Sequence, residues 1–199
     1  ASAMTLKCAI GGLHAGGGKA VVMASPQLKR HEAFLRLGEV IESLEGDFRT
    51  AGDVGTTRND LETMNETCSW VHCDEDSLAR SVARGVVAAL SGAVKAHLGA
   101  SLSGTSASVQ GVGSIGSEVV RSLAESGVEV TLTDLDMDRA AQLARETGSQ
   151  LCEPMEIWNQ NVDLAIPCAL GGTIDDAFAA TATARVVCGG ANNILANRG

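Results

Sequence analysis

The second half of the chain alternates short apolar segments with amphipathic ones, and this pattern restricts the fold more than any other feature. Strands are predicted at SASVQ (106–110), VEVTLTD (128–134), LC (151–152), DLAIP (163–167) and RVVCGG (185–190). Helices are predicted over 114–126 and 138–147, closed by Gly127 and Gly148. Such alternation indicates an α/β fold, in which a parallel sheet carries helices on both faces.

A glycine-rich segment, GVGSIG at 111–116, follows the first of these strands and opens a helix. Gly111, Gly113 and Gly116 make the pattern G-x-G-x-x-G, which in this context predicts a dinucleotide site on a Rossmann-type doubly wound sheet. Gly111 permits the sharp turn, Gly113 lets the backbone approach a pyrophosphate, and Gly116 lets helix and strand pack closely. The pyrophosphate would lie at the start of the helix, at Ser114 and Ile115. A chance glycine turn is the alternative.

Asp134 ends the next strand, 18 residues after Gly116. A carboxylate at this point accepts hydrogen bonds from the adenine-ribose hydroxyls and repels a 2′-phosphate. Leu135 and Asp136 follow, so no arginine comes immediately after the carboxylate. NAD is therefore predicted in preference to NADP. A helix N-cap is the alternative role for Asp134.

Two further loops follow strands of the same half. PCALGG (167–172) and GGANN (189–193) would lie at the carboxyl edge of the sheet, where open α/β sheets bind ligands. Either could also be only a glycine-rich turn. The residues predicted to contact the cofactor here are Cys168, Ala169, Leu170, Ala191, Asn192 and Asn193.

The first half predicts a mixed helix and strand region. KAVVM (19–23) is a strand candidate, and residues 27–45 form an amphipathic helix that ends at Gly46. Another helix is predicted near Asn59, with Asn59 and Glu62 spaced as a capping box. A long helix is predicted from about Ser77 to Gly99. The predicted domains are a partial catalytic domain, 1–98, which includes this helix, and a Rossmann domain, 99–199, without its C-terminal part.

Two lysines and an aspartate stand out in the first half. GGGK (16–19) does not match a phosphate-binding P-loop, because Leu13 and Ala20 occupy positions that the motif reserves for Gly and Ser or Thr. Lys19 lies between three glycines and an apolar segment, and Lys7 is flanked by apolar residues. Asp53 lies in the turn AGDVGT. Solvated lysines and an ordinary turn aspartate are the alternatives to a functional site.

Composition excludes several classes of function. The net charge of −9 disfavours nucleic acid as a partner, and no apolar run approaches the roughly 18 residues of a membrane span. The N-terminus does not resemble a signal peptide. The six cysteines form no CxxC pair and have no histidine at a metal spacing. We therefore expect reduced thiols, no metal and a cytoplasmic location.

Taken in order, several motifs resemble the Glu/Leu/Phe/Val dehydrogenase family, closest to its leucine, valine and phenylalanine members. These motifs are MTLKCAIGGLHAGGGKAVV, TAGDVGTT, VQGVGSIG, TLTD, PCALGG and GGANN. The resemblance implies the NAD-dependent, reversible oxidative deamination of an apolar L-amino acid to a 2-oxo acid and ammonia. It implies that Lys7 binds the substrate carboxylate, that Lys19 activates water, and that Asp53 handles protons at the substrate nitrogen. It also implies a homo-oligomer.

The chain departs from the family pattern at both ends and in one loop. Relatives have a segment before the first lysine motif and continue beyond the ANN motif, so the chain is expected to be truncated at both ends. Residues 71–84 are charged and proline-free, whereas relatives carry a longer Gly/Ser/Pro-containing stretch. The alternatives to an apolar amino-acid dehydrogenase are a glutamate dehydrogenase and an inactive NAD-binding remnant.

Overall fold

A computed structural model describes residues 1–196, apart from the side chain of Glu75. The end of the predicted second domain, residues 197–199, lies outside the described residues. The chain divides into two compact units, Ala1–Glu75 and the part from Asp76 onward. The predicted boundary between the two domains, 1–98 and 99–199, stays a prediction.

The first unit combines three helices with a two-stranded parallel sheet. Its elements are α1 (Ser2–Ile10), α2 (Arg30–Glu42), β1 (Thr50–Ala51), α3 (Arg58–Asn65) and β2 (Val71–His72). Helices α2 and α3 pack closely because Gly38 lies against the backbone of Met64, where a Cβ atom would meet the Met64 carbonyl oxygen at 2.7 Å. The small core between them contains Phe34, Ile41, Leu61, Met64 and Cys68, with Trp70 packed against it.

One prediction for this unit is wrong, and another is wrong in part. No strand forms at 19–23, since within residues 1–196 strands β1 and β2 pair only with each other and offer this segment no partner. Val21 and Met23 are exposed instead. The capping box of α3 is formed by Thr57 and Asp60 rather than by Asn59 and Glu62.

The second unit contains a five-stranded, wholly parallel sheet. The strands are β3 (Ser106–Gln110), β4 (Glu129–Thr133), β5 (Gln150–Leu151), β6 (Leu164–Pro167) and β7 (Val186–Val187). Their order is β5-β4-β3-β6-β7, so the direction of winding reverses between β3 and β6. This confirms the predicted doubly wound α/β fold. All five predicted strands and the helices that flank them are present, with ends shifted by at most three residues.

Helices cover both faces of this sheet. They are α4 (Glu75–Leu98), α5 (Ser114–Glu125), α6 (Met137–Thr147) and α7 (Asp176–Thr181), with a 3₁₀ turn at Pro154–Asn159. Leu164 and Ile166 of β6 point into a core shared with α4, α5 and α6. The intervening Ala165 points to the other face, where it packs with Phe178 and Trp158. Within residues 1–196, no helix is long and apolar enough to cross a membrane.

Candidate functional site

Lys19 and Asp53 form an ion pair in the first unit, although 34 residues separate them in sequence. The glycine triplet brings Lys19 to this point by close backbone packing. The amide of Gly17 donates to Thr5 Oγ1 at 2.9 Å, and a Cβ on Gly17 or Gly18 would overlap Met4 or the ring of Phe48. The side chains of Lys19 and Asp53 are 43% and 55% exposed. The pair is therefore open to solvent and to a small ligand.

A cavity of about 550 Å³ adjoins this ion pair. Besides Lys19 and Asp53, two arginines, Arg30 and Arg49, also line it. The rest of its walls are mainly apolar and include Val22, Leu28, Phe34, Leu37, Phe48 and Met64. A site of this shape combines two opposite charges at one place with apolar walls, as small-molecule sites commonly do.

The turn that carries Asp53 is fixed at several points. Asp53 Oδ1 accepts from the Val54 amide at 2.8 Å, and the Asp53 carbonyl accepts from Thr56 at 2.9 Å. Arg30, the first residue of α2, donates to the Gly55 carbonyl at 2.7 Å. Asp53 is thus a turn residue and also the partner of Lys19.

Lys7 lies on α1 with its side chain exposed. Met4, one helical turn before it, lines the cavity, but Lys7 is not among the described residues that do so. The structure therefore brings Lys19 and Asp53 together, whereas it places Lys7 on the neighbouring helix.

The three motif glycines of the second unit have distinct surroundings. Gly111 adopts φ 90°, and a Cβ there would lie 2.6 Å from the Ala169 nitrogen. At Gly116 a Cβ would overlap the Gly111 carbonyl oxygen. At Gly113, the N-cap of α5, no described atom comes within 4 Å of such a Cβ. The loop is closed around Gly111 and Gly116 and open at Gly113, where a pyrophosphate needs room beside the backbone.

The loops after β6 and β7 meet the glycine-rich loop at the carboxyl edge of the sheet. The Cys168 amide donates to the Gln110 carbonyl at 2.7 Å, and the Ala191 amide donates to the Pro167 carbonyl at 3.1 Å. Gly190 lies so close to Ile115 that a Cβ would be 2.8 Å from its methyl carbon. Gly172 donates to the carbonyl of Asn193, a residue in the left-handed region at φ 51°.

The remaining predicted residues of this edge differ in exposure. Leu170 is 72% exposed, and Asn192 and Ser114 lie at the surface of the same edge. Burial raises the pKa of the Cys168 thiol, so this side chain stays protonated at neutral pH and packs as a small apolar group. The side-chain oxygen of Gln110, buried at the end of β3, has no hydrogen-bond partner within residues 1–196.

Asp134 follows β4, and its side chain is only 11% exposed. Its carboxylate accepts from the Val112 amide at 2.7 Å and from the Asp136 amide at 2.9 Å. Burial raises the pKa of Asp134, but the hydrogen bonds outweigh burial, so the net pKa is lowered and the carboxylate stays charged. The N-cap interpretation of Asp134 is wrong, because Asp136 caps α6 by accepting from the Arg139 amide.

Two arginines at these sites were not predicted. Arg30 holds the Asp53 turn, and Arg139 donates to Asp134 Oδ1 at 2.8 Å from the first turn of α6. A basic residue five positions after a predicted ribose-binding carboxylate, at the start of a helix, is the signal that could have identified Arg139. No group of His, Cys, Asp or Glu in the described part of the chain could hold a metal ion.

The sheet order and the glycine-rich loop at the reversal point define a Rossmann-type α/β protein. Residues 1–70 match the family model "Glu/Leu/Phe/Val dehydrogenase, dimerisation domain". The chain is 35% identical to leucine dehydrogenase from Bacillus subtilis, over 98% of this chain and 56% of that protein. It is 35% identical to valine dehydrogenase from Streptomyces virginiae, over 98% of this chain and 58% of that protein.

A solved structure gives the same result. L-tryptophan dehydrogenase from Nostoc punctiforme matches with a TM-score of 0.77 and 32% identity, over 98% of this chain and 57% of that one. The chain belongs to the Glu/Leu/Phe/Val dehydrogenase family, as the sequence motifs predicted. The family uses a nicotinamide dinucleotide. The chain spans about half the length of the curated relatives it matches.

Proposed function

We propose that the protein is a dehydrogenase that deaminates an apolar L-amino acid to its 2-oxo acid and ammonia with NAD as the oxidant. The observation that carries this proposal is the Lys19–Asp53 ion pair beside a cavity with mainly apolar walls. The names of the relatives, which are leucine, valine and tryptophan dehydrogenases, support an apolar substrate.

The chemistry of the two paired groups suits this reaction. Oxidation at Cα gives an iminium that water must attack, and Lys19, in its neutral amine form, would take a proton from that water. Asp53, which touches Lys19, would then carry a proton to the departing nitrogen. Lys7 would pair with the substrate carboxylate and fix its orientation. These three roles are proposals from the family resemblance.

The residues at the carboxyl edge of the sheet fit a dinucleotide. Gly113 leaves room beside the helix start, where the Ser114 and Ile115 amides would face the pyrophosphate. The charged Asp134 carboxylate would accept from the ribose hydroxyls and disfavour a 2′-phosphate, which supports NAD over NADP. Bound there, the nicotinamide would accept a hydride from the substrate. The loops 167–172 and 189–193 would hold its ribose and ring.

The test is NADH formation by the whole protein with NAD and a panel of L-amino acids. We expect turnover with Leu, Val, Ile or Phe, and a loss of at least about a hundredfold in Lys19→Ala and Asp53→Asn, the usual scale for a positioned acid or base. Lys29→Ala is the matched control, because Lys29 is 75% exposed and pairs only with nearby Glu32 in the described structure.

Other outcomes would distinguish the alternatives. A preference for L-glutamate would indicate a glutamate dehydrogenase. NAD binding without turnover on any amino acid would indicate a protein that binds the dinucleotide only. Full activity in Lys19→Ala would contradict the role of Lys19. The domain division at residue 98, a homo-oligomeric state and a cytoplasmic location remain proposals from the sequence.

A further inference from the structure

Arg139 holds an unusual position beside the proposed adenine-ribose site. It is the third residue of α6, and its backbone amide is taken by the Asp136 side chain at 3.1 Å. Its guanidinium reaches back along the helix start, with Nη2 2.8 Å from Asp134 Oδ1 and Nη1 3.5 Å from Asp136 Oδ2. A cation is therefore present next to the carboxylate that is expected to exclude a 2′-phosphate.

The two side chains of this Asp134–Arg139 ion pair differ in their exposure to solvent. The Asp134 side chain is 11% exposed, and its carboxylate accepts hydrogen bonds from the Val112 and Asp136 amides. The Arg139 side chain is 50% exposed. Loss of the Asp134 carboxylate would therefore leave an arginine that is anchored at its backbone and half exposed, with Asp136, 3.5 Å from Nη1, as its remaining acidic neighbour.

We infer that Arg139 is a second determinant of dinucleotide specificity, held inactive by Asp134. Asp134 acts against NADP in two ways, because it repels the 2′-phosphate and also occupies the guanidinium that would bind it. A guanidinium binds phosphate through two parallel hydrogen bonds, and the Nη2 N–H that donates to Asp134 cannot take part in them at the same time. Removal of Asp134 therefore creates a binding site as well as removing a repulsion. The inference rests on the proposed dinucleotide site.

A double-mutant cycle measured by calorimetric titration with NAD⁺ and NADP⁺ tests this inference. The whole protein is compared with Asp134→Ser, Arg139→Ala and the double variant. We expect Asp134→Ser to bind NADP⁺ at least about tenfold more tightly than the unchanged protein, the scale of a charge-assisted hydrogen bond. We expect the double variant to lose most of that gain, and Arg139→Ala alone to change NADP⁺ affinity little.

Two further variants keep the test decisive. Asp134→Asn retains an oxygen acceptor for the Val112 amide while it removes the charge, so it repeats the experiment if Asp134→Ser does not fold. Arg145→Ala, in the last turn of α6, controls for the loss of any positive charge from this helix. It should leave the NADP⁺ affinity of both backgrounds unchanged.

Equal NADP⁺ affinity in the Asp134 variant with and without Arg139 would overturn the inference. Failure of the unchanged protein to bind either dinucleotide would overturn both the inference and the cofactor proposal. NAD⁺ binding without amino-acid turnover would contradict the proposed activity alone, since the cycle depends on binding and not on the reaction.

Discussion

Asp60 is a buried carboxylate that the surrounding residues keep ionised. Its side chain is 2% exposed. Arg30 donates to both of its oxygens, at 2.7 and 2.6 Å, and Thr57 donates through its amide and its hydroxyl at 2.6 Å. The hydrogen bonds from Arg30 are the largest influence and, against the opposing effect of burial, lower the pKa of Asp60 to about 2. The same Arg30 holds the Asp53 turn, so this carboxylate supports the candidate site indirectly.

Asp60→Asn should change how the free energy of unfolding depends on pH in the acid range. A carboxyl whose pKa is lower in the folded state than in the unfolded state stabilises the fold. This stabilisation is complete at pH values above the unfolded-state pKa near 3.8, and it is lost as pH falls through the folded-state pKa of about 2. We expect the variant to be less stable by about 1–3 kcal/mol at neutral pH, the scale of hydrogen bonds to a charged group. The difference should shrink below pH 4. Urea unfolding at several pH values measures it.

Asp47→Asn is the control, because Asp47 lies at the surface between elements. It should follow the unchanged protein at every pH. A constant difference between Asp60→Asn and the unchanged protein from pH 7 to pH 2 would contradict the role of ionisation at Asp60.

Single residues of the site were predictable where backbone geometry dictates the residue type. Gly111 was identifiable because its turn at positive φ requires glycine, and Gly116 because a close helix approach requires it, whereas Gly113 was identified only as a member of the motif. The capping box was misplaced because Thr57–Asp60 and Asn59–Glu62 both have the required spacing. Only the backbone conformation at Thr57, extended with φ −105°, distinguishes them.

The junction of β3 and α5 offers a matched pair of glycine substitutions. Gly116→Ala places a Cβ against the Gly111 carbonyl oxygen, a backbone atom that cannot rotate away. We expect a loss of about 1–3 kcal/mol in stability, as in overpacked cores. Gly113→Ala meets no atom of residues 1–196 within 4 Å, and its φ of −67° suits alanine. We expect its stability to stay within about 0.5 kcal/mol while NAD⁺ affinity falls.

Urea unfolding and calorimetric titration on both variants check this prediction. Unchanged NAD⁺ affinity in Gly113→Ala would show that no ligand approaches the loop at that point. A fully stable Gly116→Ala would show that α5 shifts easily relative to β3.

Among the helices, those with a buried face were predicted, whereas α1, which has none, was not. Helix α4 was predicted because its buried residues Ala83, Leu90 and Val94 recur at helical spacing. No element was predicted for residues 2–10, where α1 buries none of its residues and has no periodic apolar face. The segment 19–23 has the composition of a strand, but strand formation requires a partner that composition does not reveal.

Local stability should differ strongly across the molecule. The central strand β3 is bonded on both sides, to β4 and β6, and Ala107 and Val109 are fully buried. Residues 11–29 contain no helix or strand and are mostly exposed, and Lys19 lies within them. We expect backbone amides of β3, β4 and β6 to exchange slowest with deuterated water and those of 11–29 fastest. Peptide-resolved hydrogen exchange measures this order.

Addition of a 2-oxo acid together with NADH should slow exchange in 11–29 if Lys19 and its neighbours bind the substrate. Protection of this segment equal to that of β3 in the free protein would contradict the expected order.

The arrangement of the sheet was predictable as a whole, whereas the pairing of distant side chains was not. Alternation of strands and helices fixes a parallel sheet, and the handedness of its connections restricts the strand order. The Lys19–Asp53 and Arg139–Asp134 pairs depend on turn geometry and rotamers, which periodicity does not encode. Lys19, Asp53 and Asp134 were identified as candidates from the sequence, whereas Arg139 was not, and both pairings required the structure.

The two compact units each contain one of the two tryptophans, and the chain has no tyrosine. Trp70 packs on the small core between α2 and α3, while Trp158 meets Phe178 edge-on at 5.4 Å on one face of the large sheet. Intrinsic fluorescence of this protein is therefore the sum of two emitters in separate cores, without a tyrosine background. Replacement of either tryptophan by phenylalanine leaves an emission spectrum that reports the unfolding of the other unit alone.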